Sequence, residues 1–257
     1  MLSQLTLHYA RSTVSIILLT ASSLQDVRKR EIDDRVWIVF TIAALILNII
    51  GVLTGLVELL GWLVFSGLQA AFFILLYYAG TFGGADAKSL ICLSIMYPTC
   101  LVDFMHDLSI GMLTVPLSSF NNALVFTLAF PLSNLAWNIY VKHKGIELFK
   151  GLERESLLRK FFALLLLRKI RFSQYSSNKH RFTLSEKYTR SGVRRIVFYS
   201  RLEEEPRGRF KDEDYVFTSF LIPLQVFILL GLVVRLLYGD VVLKIALTIV
   251  MLLLKGF

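Results

Sequence analysis

The stretch FFILLYYAGTFGGADAKSLICLSIMY, residues 72–97, holds two apolar runs joined by a polar seam. Runs of about 20 apolar residues mark membrane spans, and each half of this stretch reads as part of one. An ionisable group at such a seam is costly, so it is read first as a functional residue. Asp86 sits there, preceded by Gly83, Gly84 and Ala85 and followed by Lys88.

Outward from the seam, apolar runs recur near residues 5–25, 36–56, 59–80, 86–104, 121–141 and 215–237. A shorter run carrying Lys244 begins at Val241. It is a seventh span, a tilted interfacial helix, or a continuation of the sixth past Gly239 and Asp240. With 55% hydrophobic residues and a mean hydropathy of +0.63, the chain departs from ordinary soluble composition. The expected fold class is membrane all-α, a polytopic bundle of six or seven transmembrane helices with a small β-containing cytoplasmic insert. Residues 1–141 are expected to form the membrane bundle, 142–214 a basic cytoplasmic insert, and 215–257 the C-terminal membrane helix or helices.

Nineteen of the 28 lysines and arginines lie between Lys142 and Lys211, and ten acids accompany them up to Asp214. The insert thus carries a charge equal to the whole net +9. Basic residues gathered between membrane spans point to cytoplasmic retention and anionic lipid headgroups, and nucleic acid is not expected as a partner. Within the insert, residues 145–171 have the three-and-four spacing of an amphipathic helix lying on the interface. Residues 181–202 alternate in short runs that suggest strands.

Orientation follows the cations. The first loop, QDVRKREIDDR, is basic and therefore cytoplasmic. The second bears Glu58 and neither Lys nor Arg, so it is external; the third, TFGGADAK, returns to the cytoplasmic side with Lys88. The fourth, DFMHDLSIGMLTVPLSS, is again without Lys or Arg and external, and the fifth is the basic insert. All agree with an external N-terminus in the cell membrane. Arg11 alone precedes the first apolar run, while Arg28, Lys29, Arg30 and Arg35 follow it, the pattern of a retained signal anchor and not of a cleaved signal.

This topology gives Asp86 a counterpart. The first span ends at Asp26 and the fourth begins at Asp86, so carboxylates 60 positions apart reach the same depth and the same face. Two carboxylates around one water define aspartic protease chemistry: like charges that close share a proton, and they titrate as a pair. The ionised partner takes a proton from water while the protonated one polarises the scissile carbonyl. Neither a metal nor an organic cofactor is needed. Gly83 and Gly84, lacking Cβ, would let the chain break or let a substrate strand approach closely.

The elements Asp26-Val-Arg-Lys-Arg-Glu-Ile and Gly83-Gly84-Ala85-Asp86-Ala-Lys88 resemble the GxGD-type membrane aspartyl peptidases. Within them they are similar to the prepilin peptidases and, more narrowly, to the archaeal preflagellin and prepilin processing enzymes. The resemblance covers roughly residues 10 to 105. It implies catalytic roles for Asp26 and Asp86, with Gly83, Gly84 and Ala85 as the motif backbone. It also implies a preflagellin- or prepilin-like substrate whose short basic signal peptide is cut at the cytoplasmic face. Ala85 stands where the motif name has Gly, as in the archaeal branch. The Cys-x-x-Cys zinc element of the bacterial enzymes is absent from the short first loop, so the methyltransferase activity of that branch is not expected.

Other readings compete. Asp33 and Asp34 are rivals for the first carboxylate, although deeper in the polar loop. Lys88 could pair with a carboxylate or snorkel to headgroups. Trp37, Trp62, Tyr77 and Tyr78 fall at interfacial depths. Asn134 and Asn138, one turn apart, suit hydrogen bonding between helices. Cys92 and Cys100 read as small buried hydrophobes, and His8, His106, His143 and His180 are scattered. Two different activities remain: a presenilin-like protease cutting within transmembrane helices, and a small ion-coupled transporter using the carboxylates as its site.

Overall fold

The computed structural model describes residues 3–99, 113–179, 181–189, 192–198, 210–220 and 223–255. Cys100, His106, His180, the far end of the fourth expected span, most of the fourth loop and the end of the last expected strand lie outside these residues. Among the described residues the protein is mostly helical, at 68%, with a small β insert. In order the elements are α1 (Gln4–Lys29), α2 (Asp34–Leu53), α3 (Leu59–Tyr78), α4 (Gly84–Met96), α5 (Val115–Thr127), α6 (Ala129–His143), α7 (Leu157–Leu166), β1 (Arg168–Arg171), α8 (Phe172–Ser177), β2 (Phe182–Leu184), β3 (Glu186–Tyr188), β4 (Arg194–Ile196), β5 (Tyr215–Phe220), α9 (Leu224–Tyr238) and α10 (Val241–Lys255).

Two compact units result, residues 1–126 with 223–257, and residues 127–222. By length and composition α2, α3 and the run Val115–His143 can cross a membrane, and α9 with α10 adds a fourth candidate that is bent by 57°. The protein is an integral membrane protein.

In the first unit α4 packs against α3 and α2, α1 packs against α9 and α2, and α1 and α9 both reach α4. Leu19, Phe40, Phe73, Leu90, Leu93, Met96, Ile228 and Leu232 close the core. Local signals set the helix ends. Ser3 caps α1 through Thr6 N at 3.1 Å, and Asp33 caps α2 through Arg35 N at 2.9 Å. Helix α1 stops at Arg30, whose φ of 59° satisfies its N–H on the Asp26 carbonyl.

Helix α4 is shorter than the expected span 86–104. It ends at Met96, two residues before Pro98, and its 13 residues rise about 20 Å, less than the hydrocarbon thickness of about 30 Å. Its last carbonyls are taken by side chains: Asn48 Nδ2 donates to Ile95 O at 2.6 Å and Trp62 Nε1 to the same oxygen at 2.9 Å. Trp62 is therefore a core residue and not an interfacial anchor, and Trp37 is buried likewise. Gly231 on α9 lies where a Cβ would come within 2.1 Å of Ser119 O, so the α9 and α5 backbones touch directly.

At Gly239, with φ of 85°, α9 breaks from α10. Asp240 caps α10 through Leu243 N at 2.8 Å, while Asn122 donates to Gly239 O at 3.0 Å and accepts from Val241 N at 3.0 Å. The C-terminal run is thus a separate helix after a stapled bend.

In the second unit β5 is the centre of an antiparallel sheet ordered β1-β5-β2, with Arg171 opposite Tyr215 and Phe182 opposite Phe220; β3 and β4 form a hairpin. The expected amphipathic helix over 145–171 is helical only from Leu157 to Leu166. Gly145 and Gly151 hold φ of 81° and 80°, which no helix allows, and residues from Arg168 pair as a strand. Asn138 ties α6 to α7, donating to Leu164 O and Leu167 O at 2.9 and 2.8 Å. Beneath the sheet, Glu186 accepts from Lys169 Nζ at 3.1 Å, from Phe217 N at 2.5 Å and from Arg194. Burial pulls the Lys169 ammonium down to about 8, outweighing the attraction of Glu186.

Candidate active site

Four helix ends converge around the polar seam: the last turns of α1 and the first turns of α2, α4 and α9. The seam's conformation differs from the expected one. The positive φ lies at Gly80 (76°), which turns the chain after α3, whereas Gly83 has an ordinary extended φ of −76°. Glycine at 83 supplies room. A Cβ there would stand 3.2 Å from Asp86 Oδ2, the oxygen that accepts the Gly83 N–H at 3.1 Å. Gly84 lies 3.6 Å, measured from its own missing Cβ, from the Tyr77 ring. Ala85 is partly buried and packs at the margin of the core.

Asp86, in the first turn of α4, is bound at both oxygens. Oδ2 takes Gly83 N, and Oδ1 takes Gln225 Nε2 at 3.2 Å. An acid at a helix N-terminus also meets the favourable end of the helix dipole. Asp26, in the last turn of α1, lies close enough to Asp86 for their charges to interact. The backbone N–H of Gln225 supports Asp26, and Arg30 supplies an opposing charge nearby. Both carboxylates are partly exposed, so water can reach them.

Gln225 was not among the residues singled out from sequence. It is fully buried at the start of α9, its Nε2 also 3.4 Å from Ser89 Oγ and its Oε1 accepting from Ser22 Oγ at 3.4 Å. One side chain thus links α1, α4 and α9. The only trace in the sequence is an amide within the apolar run LIPLQVFILLGLVV. The rival acids are engaged elsewhere. Asp33 caps α2, and Asp34 Oδ1 accepts from Lys88 Nζ at 2.6 Å on the surface. Among the described residues, no group of three or more His, Cys, Asp or Glu could hold a metal ion.

The protein is thus a helical membrane protein with two partly exposed carboxylates gathered at one end of its helices. The comparison with protein families agrees in kind: residues 13–132 match the model of the type IV leader peptidase family. The matched stretch includes Asp26, the seam and Asp86, and the resemblance to prepilin-like peptidases is thereby shown. A comparison with curated proteins finds no match.

Proposed function

We propose that the protein is a membrane aspartyl endopeptidase that removes short basic signal peptides from preflagellin- or prepilin-like precursors at the cytoplasmic face. The observation that carries this reading is that Asp26 and Asp86, both inside the stretch that matches a leader peptidase family, meet on Gln225, which lies outside that stretch.

The chemistry follows from the pair. With one proton between two interacting carboxyls, the ionised member accepts a proton as water attacks the scissile carbonyl carbon. The protonated member donates to the carbonyl oxygen. Collapse of the tetrahedral intermediate breaks the C–N bond, and the departing amine takes the proton gained from water. Two N–H donors face the oxygens of Asp86, while a backbone N–H and the Arg30 charge favour the ionised form of Asp26, so the pair can hold its single negative charge on either member.

The test is cleavage of a tagged preflagellin-like precursor by membranes carrying the full chain. Asp26→Asn and Asp86→Asn should each abolish processing, whereas Asp33→Asn and Asp34→Asn should leave it measurable. Wild-type processing by either of the first two variants sinks the pair. Loss with Asp33→Asn but not with Asp26→Asn moves the first carboxylate to Asp33.

A further inference from the structure

The second unit holds a cavity of about 670 Å³ between α6, β1 and β5. Trp137 and Tyr140 of α6 and Tyr215 of β5 form walls, and Lys144, Arg168 and Arg171 project among them. Lys169, the remaining cation of the lining, is spent on Glu186, and no Asp or Glu lines the space.

The three other cations rest on aromatic faces. The Arg168 guanidinium lies 4.2 Å from the Trp137 ring centre, Lys144 Nζ 4.7 Å from Tyr140, and the Arg171 guanidinium 5.7 Å from Tyr215. A ring face holds a cation in place without cancelling its charge. Arg171 also donates to Tyr215 Oη at 3.1 Å, and Glu213 acts on it only from outside the lining. Arg168 Nε is buried and makes no hydrogen bond. Preorganised cations around a void of ligand size whose lining holds no acid are arranged for a polyanionic group, and guanidinium forks match phosphate oxygens in particular.

The setting favours a lipid as the bearer of that phosphate. Helix α6 is the end of the apolar run Val115–His143, and Trp137, Tyr140, Lys142 and Lys144 follow each other where such a run meets water. Helix α7, which feeds directly into β1, turns Leu157, Leu158 and Phe161 outward. An amphipathic helix beside a basic, aromatic-walled cavity is suited to the headgroup layer.

We propose that this cavity binds the phosphate of an anionic phospholipid headgroup, through Lys144, Arg168 and Arg171. The site does not involve Asp26 or Asp86, and its test does not depend on peptide cleavage.

The experiment uses the full chain purified in a neutral detergent. Binding of soluble dihexanoyl-phosphatidylglycerol, dihexanoyl-phosphatidylcholine and inorganic phosphate is measured by calorimetry at one moderate ionic strength. Phosphatidylglycerol should bind with one saturable site and phosphatidylcholine should not. Arg168→Gln with Arg171→Gln should weaken binding about 25-fold, at about fivefold per cation, while Lys179→Gln, outside the lining, leaves it unchanged. Equal binding of inorganic phosphate supports the phosphate site and overturns the assignment to lipid. Equal binding of the two lipids by the wild-type chain overturns the proposal, however the double variant folds. So does unchanged binding in a folded double variant.

Discussion

Replacing Gln225 by Leu tests the catalytic geometry without touching either carboxylate. Leucine keeps most of the side-chain volume in a fully buried position, but it removes the 3.2 Å donor to Asp86 Oδ1 and the 3.4 Å contacts with Ser89 and Ser22. The backbone N–H toward Asp26 survives the change to leucine. A hydrogen bond to a charged group is worth about 1.5–3 kcal/mol, and the buried position leaves little room for water to replace it. If that bond holds the ionised partner through the transition state, kcat should fall about 10- to 150-fold with little change in KM, because the interaction is made to the enzyme and not to the substrate. Losing a donor that favours the charged form also makes that form harder to reach, so the acid limb of the kcat profile should move to higher pH. Gln225→Glu, which restores size and polarity but adds a third carboxylate, should not rescue activity. The assay is single-turnover cleavage of the tagged precursor across about pH 5 to 9. A folded Gln225→Leu protein with the wild-type kcat and an unmoved acid limb would refute the reasoning.

Gly83→Ala brings a methyl to 3.2 Å from Asp86 Oδ2, tighter than ordinary contact, so the carboxylate must shift by a few tenths of an ångström. Processing should fall about tenfold or more with the melting temperature little changed, since Gly83 is exposed and has an ordinary φ. In the second unit, Lys169→Met should be tolerated, because Glu186 keeps Arg194 and Phe217 N, whereas Glu186→Leu strands two cations and should cost about 3–5 kcal/mol of stability by thermal unfolding. With its folded-state value near 8 and an ordinary lysine value of 10.5, Lys169 binds its proton more readily in the unfolded chain between those limits. It therefore makes stability rise with pH from about 8 to 10.5, by at most about 1.4 kcal/mol per pH unit. The difference in unfolding free energy between wild type and Lys169→Met should show that rise, and a flat difference rejects the assignment.

Sequence and structure divide the explanation unevenly. Asp86 stands out as a candidate in the chain alone because an acid among small residues between apolar runs violates the local pattern of a membrane protein. The same reasoning reaches Asp26 through the alternation of loop charges, a property of order along the chain. Gln225 escaped because it breaks no local rule: one amide in an apolar helix serves hydrogen bonding between helices in many settings. Its meaning depends on α9 lying against both α1 and α4, contacts 203 and 139 positions apart in sequence.

The sequence by itself determined the predominantly helical membrane character, the presence of a basic insert with short strands, and the likeness to the leader peptidases. These rest on composition, apolar run length and a compact motif, all of which act locally. Tertiary structure decided how the pieces end and what they serve. Asn48 and Trp62 terminate α4 at Met96, Asn122 staples the bend at Gly239, and Gly231 lets α9 close on α5. The reason is physical: a buried polar group must find its partner wherever the fold brings one, and packing, not sequence distance, selects it.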